Sequence, residues 1–330
     1  MARSCYFPGV VTASWHPPPS HRVAATDETE SCAIGPDGTR LFVRRRAGRS
    51  GGDGPTIILC DGIVCDGFIW KYLWDDLAEV GPVAHFHYRG HGRSASPADP
   101  DRIQVVDFAR DLDAVRKHLG DPSRVVLIGH SFGVQVALEA YRLRPEGIGG
   151  LVLCCGAPGK VTETFHGTKV LAQVLPKMIA WVTSHSEVVR ALWSRMPTEL
   201  SVKLAYMMRE VDVENMRPED LRPYVEHIAS IDPTFFFRAL HAAGEHSAED
   251  LLPNIDIPVL VMAGERDTFT PPALAKRMAD AIPGGEMLVL TNGSHAALIE
   301  QPELVCSRIT EFIRQRVARA SVAEPRLTAE

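Results

Sequence analysis

The sequence lacks a disulfide framework and the residue spacings of a metal site. Its seven cysteines are an odd number, and several stand inside apolar runs, where cysteine behaves as a small hydrophobic residue. No spacing among them suggests metal ligands. These features favour a reducing compartment. The cysteines are Cys5, Cys32, Cys60, Cys65, Cys154, Cys155 and Cys306.

A long apolar segment is also missing. Prolines interrupt the N-terminal region at Pro8 and at 17–19, and no apolar stretch before them is long enough for a signal sequence or a membrane span. No such stretch occurs later in the sequence either. We therefore expect a cytoplasmic protein without a membrane span.

Concentrated positive charge is missing as well. The 35 Lys and Arg residues are outnumbered by 41 Asp and Glu residues, which gives a formal net charge of −6. Nucleic-acid binding depends on clustered basic residues that neutralise phosphates. The densest basic run, Arg44-Arg45-Arg46 with Arg49, is short and typical of a solvated strand end. The composition argues against a nucleic-acid partner and does not indicate the oligomeric state.

Short, unbroken apolar runs are the main structural signal in the sequence. Such runs are typical of strands covered on both faces, as in a parallel sheet. The runs are 56–60, 83–86, 125–128, 151–154, 259–262 and 287–290. Residues 32–34 and 41–43 flank the turn signal Pro36-Asp37-Gly38 and predict a hairpin. Helical patterns separate several runs, at about 68–79, 104–119, 132–144, 271–281 and 297–317.

The alternation of strands and helices predicts an α/β fold with a doubly wound, mostly parallel sheet of eight strands. It stops over residues 158–252, which have a helical pattern throughout and predict an inserted helical cap over the strand ends. The expected core then comprises residues 29–157 and 253–317. Residues 1–28 are expected to form a flexible arm, and residues 318–330 a C-terminal tail.

Gly129-His130-Ser131-Phe132-Gly133 is the strongest local motif. It follows an apolar run and opens a helical pattern, which is the context that a nucleophile elbow requires. The elbow is a sharp turn that exposes a serine hydroxyl, and its crowding requires small residues on either side of the serine. Ser131 is therefore the candidate nucleophile.

A serine nucleophile needs a base, and the base needs an orienting acid. His295 follows the last apolar run, in a polar turn at the carboxyl end of a predicted strand, where ligands bind in open α/β sheets. Asp267 follows the run at 259–262 and completes the chain order Ser, Asp, His. Glu265 and Asp256 stay open as alternatives for the acid, and Asp267 could instead cap the next helix.

The expected oxyanion hole consists of two backbone N–H groups. Phe132, directly after the nucleophile, should supply one, and Ile63 the other. Gly62 should let the backbone approach the substrate closely. Large apolar side chains of the predicted cap, and Trp70 after the oxyanion turn, are candidates for the substrate pocket. The candidate substrate-binding residues are Gly62, Trp70, Trp181, Trp193 and Phe236.

Taken together, these motifs resemble the α/β-hydrolase superfamily in its capped, esterase-like branch. The resemblance covers roughly residues 31–157 and 253–317 and includes Tyr88-Arg89-Gly90-His91-Gly92-Arg93-Ser94. It implies the α/β-hydrolase fold with a Ser131, His295 and Asp267 triad. The serine at the elbow disfavours epoxide hydrolase and haloalkane dehalogenase activity, which use a carboxylate nucleophile in this family.

Two positions depart from the usual family pattern. Asp61 stands where family members usually have His before the oxyanion Gly, and His87-Tyr88 stands where they often have Asp. Both positions are expected near the mouth of the site. There, the Asp61 carboxylate should disfavour anionic substrates.

The function expected from the sequence is hydrolysis of a carboxylic ester of a small to medium apolar substrate through an acyl-enzyme. This reaction on the triad is expected to need no metal or organic cofactor. Thioester hydrolysis, lactone hydrolysis and acyl transfer on the same triad stay open, as does a cofactor-free oxidative reaction. A ligand-sensing protein that retains the triad is the alternative from another class.

Overall fold

The structure is a computed structural model that describes residues 27–49, 54–163, 169–195, 197–199 and 216–318. The predicted N-terminal arm and C-terminal tail lie almost wholly outside these residues. No helix among the described residues is long and apolar enough to cross a membrane.

Eight strands form one sheet in the order β1-β2-β4-β3-β5-β6-β7-β8. β1 and β2 form an antiparallel hairpin, β2 pairs antiparallel with β4, and the other neighbours are parallel. This confirms the predicted doubly wound, mostly parallel sheet. The strands are β1 Glu28–Ile34, β2 Arg40–Arg46, β3 Thr56–Cys60, β4 Val83–Phe86, β5 Val125–His130, β6 Ile148–Cys154, β7 Val259–Gly264 and β8 Glu286–Leu290.

The helices cover both faces of the sheet and continue into a long insertion between β6 and β7. They are α1 Trp74–Leu77, α2 Val105–His118, α3 Phe132–Leu143, α4 Val170–Ser184, α5 Ser186–Trp193, α6 Pro218–Ser230, α7 Pro233–Glu245, α8 Pro272–Ala281, α9 Ala297–Glu300 and α10 Pro302–Phe312. Burial on both faces explains why the central strands are unbroken apolar runs, since β4, β5 and β7 are buried at every residue.

β8 departs from this rule. Its apolar run predicts cover on both faces, but it is the last strand of the sheet and is only partly buried, with Val289 43% exposed. An edge strand has one neighbour and less helical cover, so an apolar run there does not indicate burial.

Two predicted helices are broken in the structure. The segment near 68–79 forms a 3-10 turn, Phe68–Trp70, and then the single turn α1, because packing of its apolar side chains into the core decides its path. The segment near 297–317 is divided between α9 and α10 at Pro302, which lacks an N–H and starts a new helix at its first position. It ends in a π-helical turn over Ile313–Val317.

The insertion leaves and rejoins the sheet at one point. Gly159 and Ser247 form an isolated antiparallel bridge. The backbone N–H of Lys160 donates to His246, and that of Ala248 donates to Pro158, both at 2.9 Å. Between these ends the described residues are mainly helical, in α4 to α7. That residues 158–252 form a separate cap remains a prediction.

Candidate active site

Ser131 occupies the sharp turn between β5 and α3. Its φ of 55° and ψ of −116° are strained for a residue with a side chain. A Cβ on Gly129 would collide with the backbone of Gly133, and one on Gly133 would collide with the carbonyl of Cys60. The small residues of the motif therefore permit the turn that lifts the Ser131 hydroxyl clear of the sheet.

Ser131, His295 and Asp267 form a continuous hydrogen-bonded series. Ser131 Oγ lies 2.9 Å from His295 Nε2, and His295 Nδ1 lies 2.9 Å from Asp267 Oδ2. A carboxylate only accepts, so Nδ1 carries the proton and Nε2 is the nitrogen that accepts from the Ser131 hydroxyl. The three side chains follow the carboxyl ends of β5, β7 and β8.

Asp267 is buried and is held as a carboxylate. Burial raises its pKa, but the charge of His295 and hydrogen bonds from His295 and Thr270 outweigh that effect, and the net shift is downward. Its Oδ1 accepts the backbone N–H groups of Phe269 and Thr270, at 2.9 and 2.8 Å. Its Oδ2 also accepts the Thr270 hydroxyl at 2.8 Å. These bonds fix the orientation of the carboxylate toward His295.

The two alternative acids do not contact His295 through any described hydrogen bond. Glu265 is exposed and accepts the backbone N–H of Asn292 at 2.8 Å. Asp256 precedes β7, at the opposite edge of the sheet, and accepts the hydroxyl of Tyr141 at 2.7 Å. Among the three carboxylates considered, the geometry favours Asp267.

Glu300 supports the loop that carries His295, and sequence reasoning missed it. The buried Glu300 carboxylate accepts the backbone N–H of Ser294 at 2.8 Å, and it also accepts the Ser294 hydroxyl. The only sequence signal is that Glu300 lies one turn after His295 in the first turn of a predicted helix. Solvated glutamates are so common at helix starts that this position is uninformative.

Two rings flank the imidazole of His295. Phe269 lies with its ring centroid 5.0 Å away, and His130 with its centroid 5.1 Å away. The His130 Nε2–H donates to the His295 carbonyl at 2.9 Å. Burial and the charge of His295 lower the pKa of His130 to about 4, so His130 is neutral at pH 7.

The two segments that carry the predicted oxyanion donors, the 61–65 loop and the start of α3, lie next to Ser131. A Cβ on Gly62 would be 3.4 Å from Ser131 Cβ, so the 61–65 loop passes close to the nucleophile. Phe132 directly follows Ser131 at the start of α3, where helical N–H groups lack partners in the preceding turn. Among the described residues, the backbone N–H groups of Ile63 and Phe132 have no hydrogen-bond acceptor.

Asp61 does not lie at the mouth of the site, so the prediction that its charge disfavours anionic substrates there is wrong. Its side chain is 0% exposed. Asp61 Oδ1 accepts the Trp70 Nε1–H at 2.6 Å, and Oδ2 accepts the His85 Nε2–H at 2.8 Å. Asp61 anchors the start of the 61–65 loop, and its charge is directed inward. His87 is likewise buried, and its Nδ1 accepts the backbone N–H of Arg93 at 2.8 Å.

The four large side chains predicted to bind substrate lie in separate surroundings. Trp70 is 2% exposed and lies behind the 61–65 loop, while Trp181 is 57% exposed and stacks on His185. Trp193 packs against Phe236 at 5.8 Å between ring centroids, and its Nε1–H donates to Ile228. None of the described contacts joins these four side chains to Ser131, and substrate binding by them stays a prediction.

Phe235 and His91 were missed by the sequence reasoning. Phe235, on α7 of the insertion, packs over Gly90 and edge-on to His91, with ring centroids 5.5 Å apart. His91 Nε2 accepts the backbone N–H of Val64, in the loop that carries Ile63. The signal available in the sequence was the Arg89-Gly90-His91-Gly92 motif, but it does not show what the histidine contacts.

No cluster of three or more His, Cys, Asp or Glu side chains suited to holding a metal occurs in the part of the chain that the structure describes.

Comparison with known proteins places the chain in a family. Residues 55–302 match the α/β hydrolase fold family, and the chain belongs to that family. This confirms the resemblance inferred from the motifs.

Two sequence relatives and one solved structure illustrate the similarity. The chain is 26% identical over 287 residues to polyketide synthase ThaQ of Burkholderia thailandensis, covering 86% of this chain but 13% of that protein. It is 24% identical to a pimeloyl-[acyl-carrier protein] methyl ester esterase of Neisseria meningitidis, covering 74% and 73% of the two chains. The enol-lactonase of Burkholderia xenovorans superposes with a TM-score of 0.68 at 21% identity, covering 86% and 100% of the chains. At that identity, the structural match shows a common fold.

Proposed function

We propose that the protein is a serine esterase that hydrolyses a carboxylic ester of a small to medium apolar substrate through an acyl-enzyme at Ser131. The observation that carries the proposal is the pair of 2.9 Å contacts joining Ser131, His295 and Asp267 in series. In this arrangement a serine hydroxyl can lose its proton to the histidine as it attacks a carbonyl.

In the first half-reaction, Ser131 Oγ bonds to the carbonyl carbon while His295 Nε2 takes the hydroxyl proton. The carbonyl oxygen becomes an oxyanion, which the Ile63 and Phe132 N–H groups stabilise. Asp267 holds the Nδ1–H and stabilises the imidazolium. The C–O bond to the leaving group then breaks, and His295 gives its proton to the departing alcohol.

In the second half-reaction, water replaces the alcohol. His295 takes a proton from the water as its oxygen attacks the acyl carbon, and a second oxyanion forms in the same hole. Ser131 Oγ then leaves and regains the proton from His295. The products are the carboxylic acid, the alcohol and the free enzyme.

The surroundings of Ser131 favour an uncharged substrate. Phe269 supplies an apolar ring beside the base, with its ring centroid 5.0 Å from that of His295. His130, whose ring centroid lies 5.1 Å from that of His295, is neutral at pH 7 because its pKa is lowered to about 4. It therefore offers no positive charge to a substrate carboxylate.

The similar proteins are consistent with this reaction class. The Neisseria relative is named for hydrolysis of a methyl ester, and the Burkholderia xenovorans protein is an enol-lactonase. Thioester hydrolysis, lactone hydrolysis and acyl transfer would use the same acyl-enzyme, so these are the outcomes that an experiment must separate. A sensing protein would bind an ester without turning it over.

The test is a substrate panel combined with labelling of the nucleophile. p-Nitrophenyl esters of increasing acyl length, acyl-CoA thioesters and γ-lactones should be compared by kcat/KM for the wild type and for Ser131→Ala. We expect the esters to be preferred, and a fluorophosphonate to label Ser131 in the wild type alone. A preference for thioesters or lactones would correct the substrate class. Labelling elsewhere, or a Ser131→Ala variant with near wild-type rates, would contradict the proposal.

A further inference from the structure

The 61–65 loop holds an unfavourable backbone conformation beside Ser131. Val64 has φ 53°, a region that β-branched residues rarely adopt. Such a conformation persists only where surrounding contacts determine it. The Val64 N–H donates to His91 Nε2 at 3.1 Å, and the Cys65 N–H donates to the Gly62 carbonyl at 3.3 Å. The contact with His91 comes from outside the loop and fixes the residue next to Ile63.

The imidazole of His91 is held in one tautomer and one orientation. Its Nδ1 lies 2.8 Å from the carbonyl oxygen of Arg89, which can only accept, so Nδ1 carries the proton. Its Nε2 is then a bare acceptor, as the Val64 N–H requires. The side chain is 1% exposed, and burial lowers its pKa to about 4, so it is neutral at pH 7.

Aromatic rings on several sides keep the His91 ring in place. Tyr88 and Phe108 from the sheet side pack edge-on, with ring centroids at 5.8 and 6.3 Å. Phe235 packs edge-on from the insertion at 5.5 Å, and His227 of α6 lies at 6.2 Å. The ring therefore bridges the insertion and the loop that carries Ile63.

We infer that His91 is a positioning residue for the oxyanion hole: by accepting the Val64 N–H, it holds the loop so that the Ile63 N–H faces the oxygen of a substrate bound at Ser131. The inference rests on the proposed function, because it assigns the Ile63 N–H to the oxyanion. His91 itself does not touch the reacting atoms.

The expected effect follows from the sensitivity of such sites to position. Loss of one oxyanion donor lowers kcat by about 10²–10³-fold in a serine hydrolase. A displacement of about 1 Å in a positioning group can cost about 10²-fold. Release of the Val64 N–H should therefore act on kcat far more than on KM, because the oxyanion exists only in the transition state.

Three variants test the inference with p-nitrophenyl butyrate as substrate. His91→Phe keeps a buried ring but removes the acceptor, and we expect kcat to fall about 100-fold with KM within about threefold. His91→Gln places an amide oxygen within reach of the Val64 N–H and should recover about tenfold of that loss. Tyr88→Phe is the matched control. The Tyr88 hydroxyl has no hydrogen-bond partner among the described residues, so this change should leave kcat within about twofold.

The outcomes separate positioning from packing. If His91 only fills space, His91→Phe and Tyr88→Phe will both keep wild-type kcat per labelled Ser131, and the inference is overturned. It is overturned as well if His91→Gln is no more active than a folded His91→Phe.

A measurement on the unaltered protein covers the case in which His91→Phe does not fold. In ¹⁵N NMR of histidine-labelled wild type, the His91 signals, assigned by their loss in His91→Gln, should show a neutral ring protonated at Nδ1 down to pH 5. A ring protonated at Nε2 cannot accept the Val64 N–H. That result would overturn the inference about His91 and leave the proposed function intact. A wild type that hydrolyses no ester would instead contradict the proposed function.

Discussion

Glu300 accepts hydrogen bonds from both the backbone N–H and the hydroxyl of Ser294, the residue that immediately precedes His295. The Ser294 hydroxyl in turn accepts the backbone N–H of Ala296 at 3.0 Å. The histidine that contacts Ser131 is thus held on both sides in the chain by one buried carboxylate and one serine. Its position depends on residues that have no part in the chemistry.

Glu300→Ala should therefore lower activity without touching Ser131, His295 or Asp267. Loss of both bonds frees the loop, and we expect kcat for p-nitrophenyl butyrate to fall about 10- to 100-fold, as when a catalytic group is misplaced by a fraction of an ångström to 1 Å. Glu303→Ala, at an exposed position in the next helix, is the matched control. Equal effects of the two substitutions would show that Glu300 does not position the base.

The acid of the proposed triad can be tested by a pair of neutralising substitutions. Asp267→Asn should lower kcat by about 10⁴, the scale observed when the orienting acid of a serine protease triad is neutralised. Glu265→Gln should have a far smaller effect, because Glu265 is exposed and contacts the Asn292 backbone. Steady-state kinetics with one ester measures both. The reverse order of effects would assign the acid to Glu265.

Asp66 should make stability depend on pH in the direction opposite to a paired carboxylate. Burial and the nearby Asp61 raise its pKa from 3.8 to about 7, against the opposing effect of His85. Its Oδ1 has no hydrogen-bond partner among the described residues. Because the pKa of Asp66 is raised in the folded state, its contribution to the free energy of unfolding is fully present below the unfolded-state pKa, near 3.8. This contribution is lost as pH rises through the folded-state pKa of about 7.

Asp66→Asn removes this ionisation, so it should stabilise the protein at pH 8 relative to wild type. We expect the difference in Tm between variant and wild type to be more positive at pH 8 than at pH 5 by about 2–4 °C. Thermal unfolding of both proteins at the two pH values measures it, with the pH 5 comparison as the internal control. A difference that is the same at both pH values would show that Asp66 does not titrate between them.

Two adjacent phenylalanines of the insertion provide a test of substrate selection. Phe235 packs over Gly90 and His91, whereas Phe236 packs against Trp193 and Phe237. Phe235→Ala should change the ratio of kcat/KM between acyl lengths by about 10- to 200-fold at most, the range for one methylene in an apolar pocket.

Phe236→Ala should lower kcat/KM uniformly, in step with a lower Tm, because it opens a gap among the helices of the insertion. Fluorophosphonate labelling of Ser131 should persist in both variants. If Phe236→Ala changes the acyl-length preference and Phe235→Ala does not, the sequence-based choice of Phe236 as a substrate-binding residue will be supported.

Much of the fold could be predicted because its signals are local. The apolar runs mark the strands, and the turn at Ser131 is encoded by the glycines within two residues of it. Ser131, Asp267 and His295 could be selected because each follows a different apolar run that predicts a strand. In the structure, two 2.9 Å contacts join these three side chains in series.

Long-range polar contacts could not be predicted in the same way. Asp61 was expected to face the substrate, but it pairs with His85, 24 residues away, and with Trp70. His91 and Glu300 accept hydrogen bonds from backbone N–H groups of other residues, and backbone groups carry no sequence signal. The path of the 61–65 loop depends on which side chains surround it, which only the assembled fold determines.

The bridge between Gly159 and Ser247 has an evolutionary consequence. Because the insertion begins and ends at paired residues, its removal or exchange leaves the register of β6 and β7, with Leu151 opposite Val259, undisturbed. The entropy of closing a longer segment rises by only about 0.6 kcal/mol for each doubling of its length. Recombination at this point could therefore replace the helices between β6 and β7 with an unrelated segment while the sheet keeps its fold.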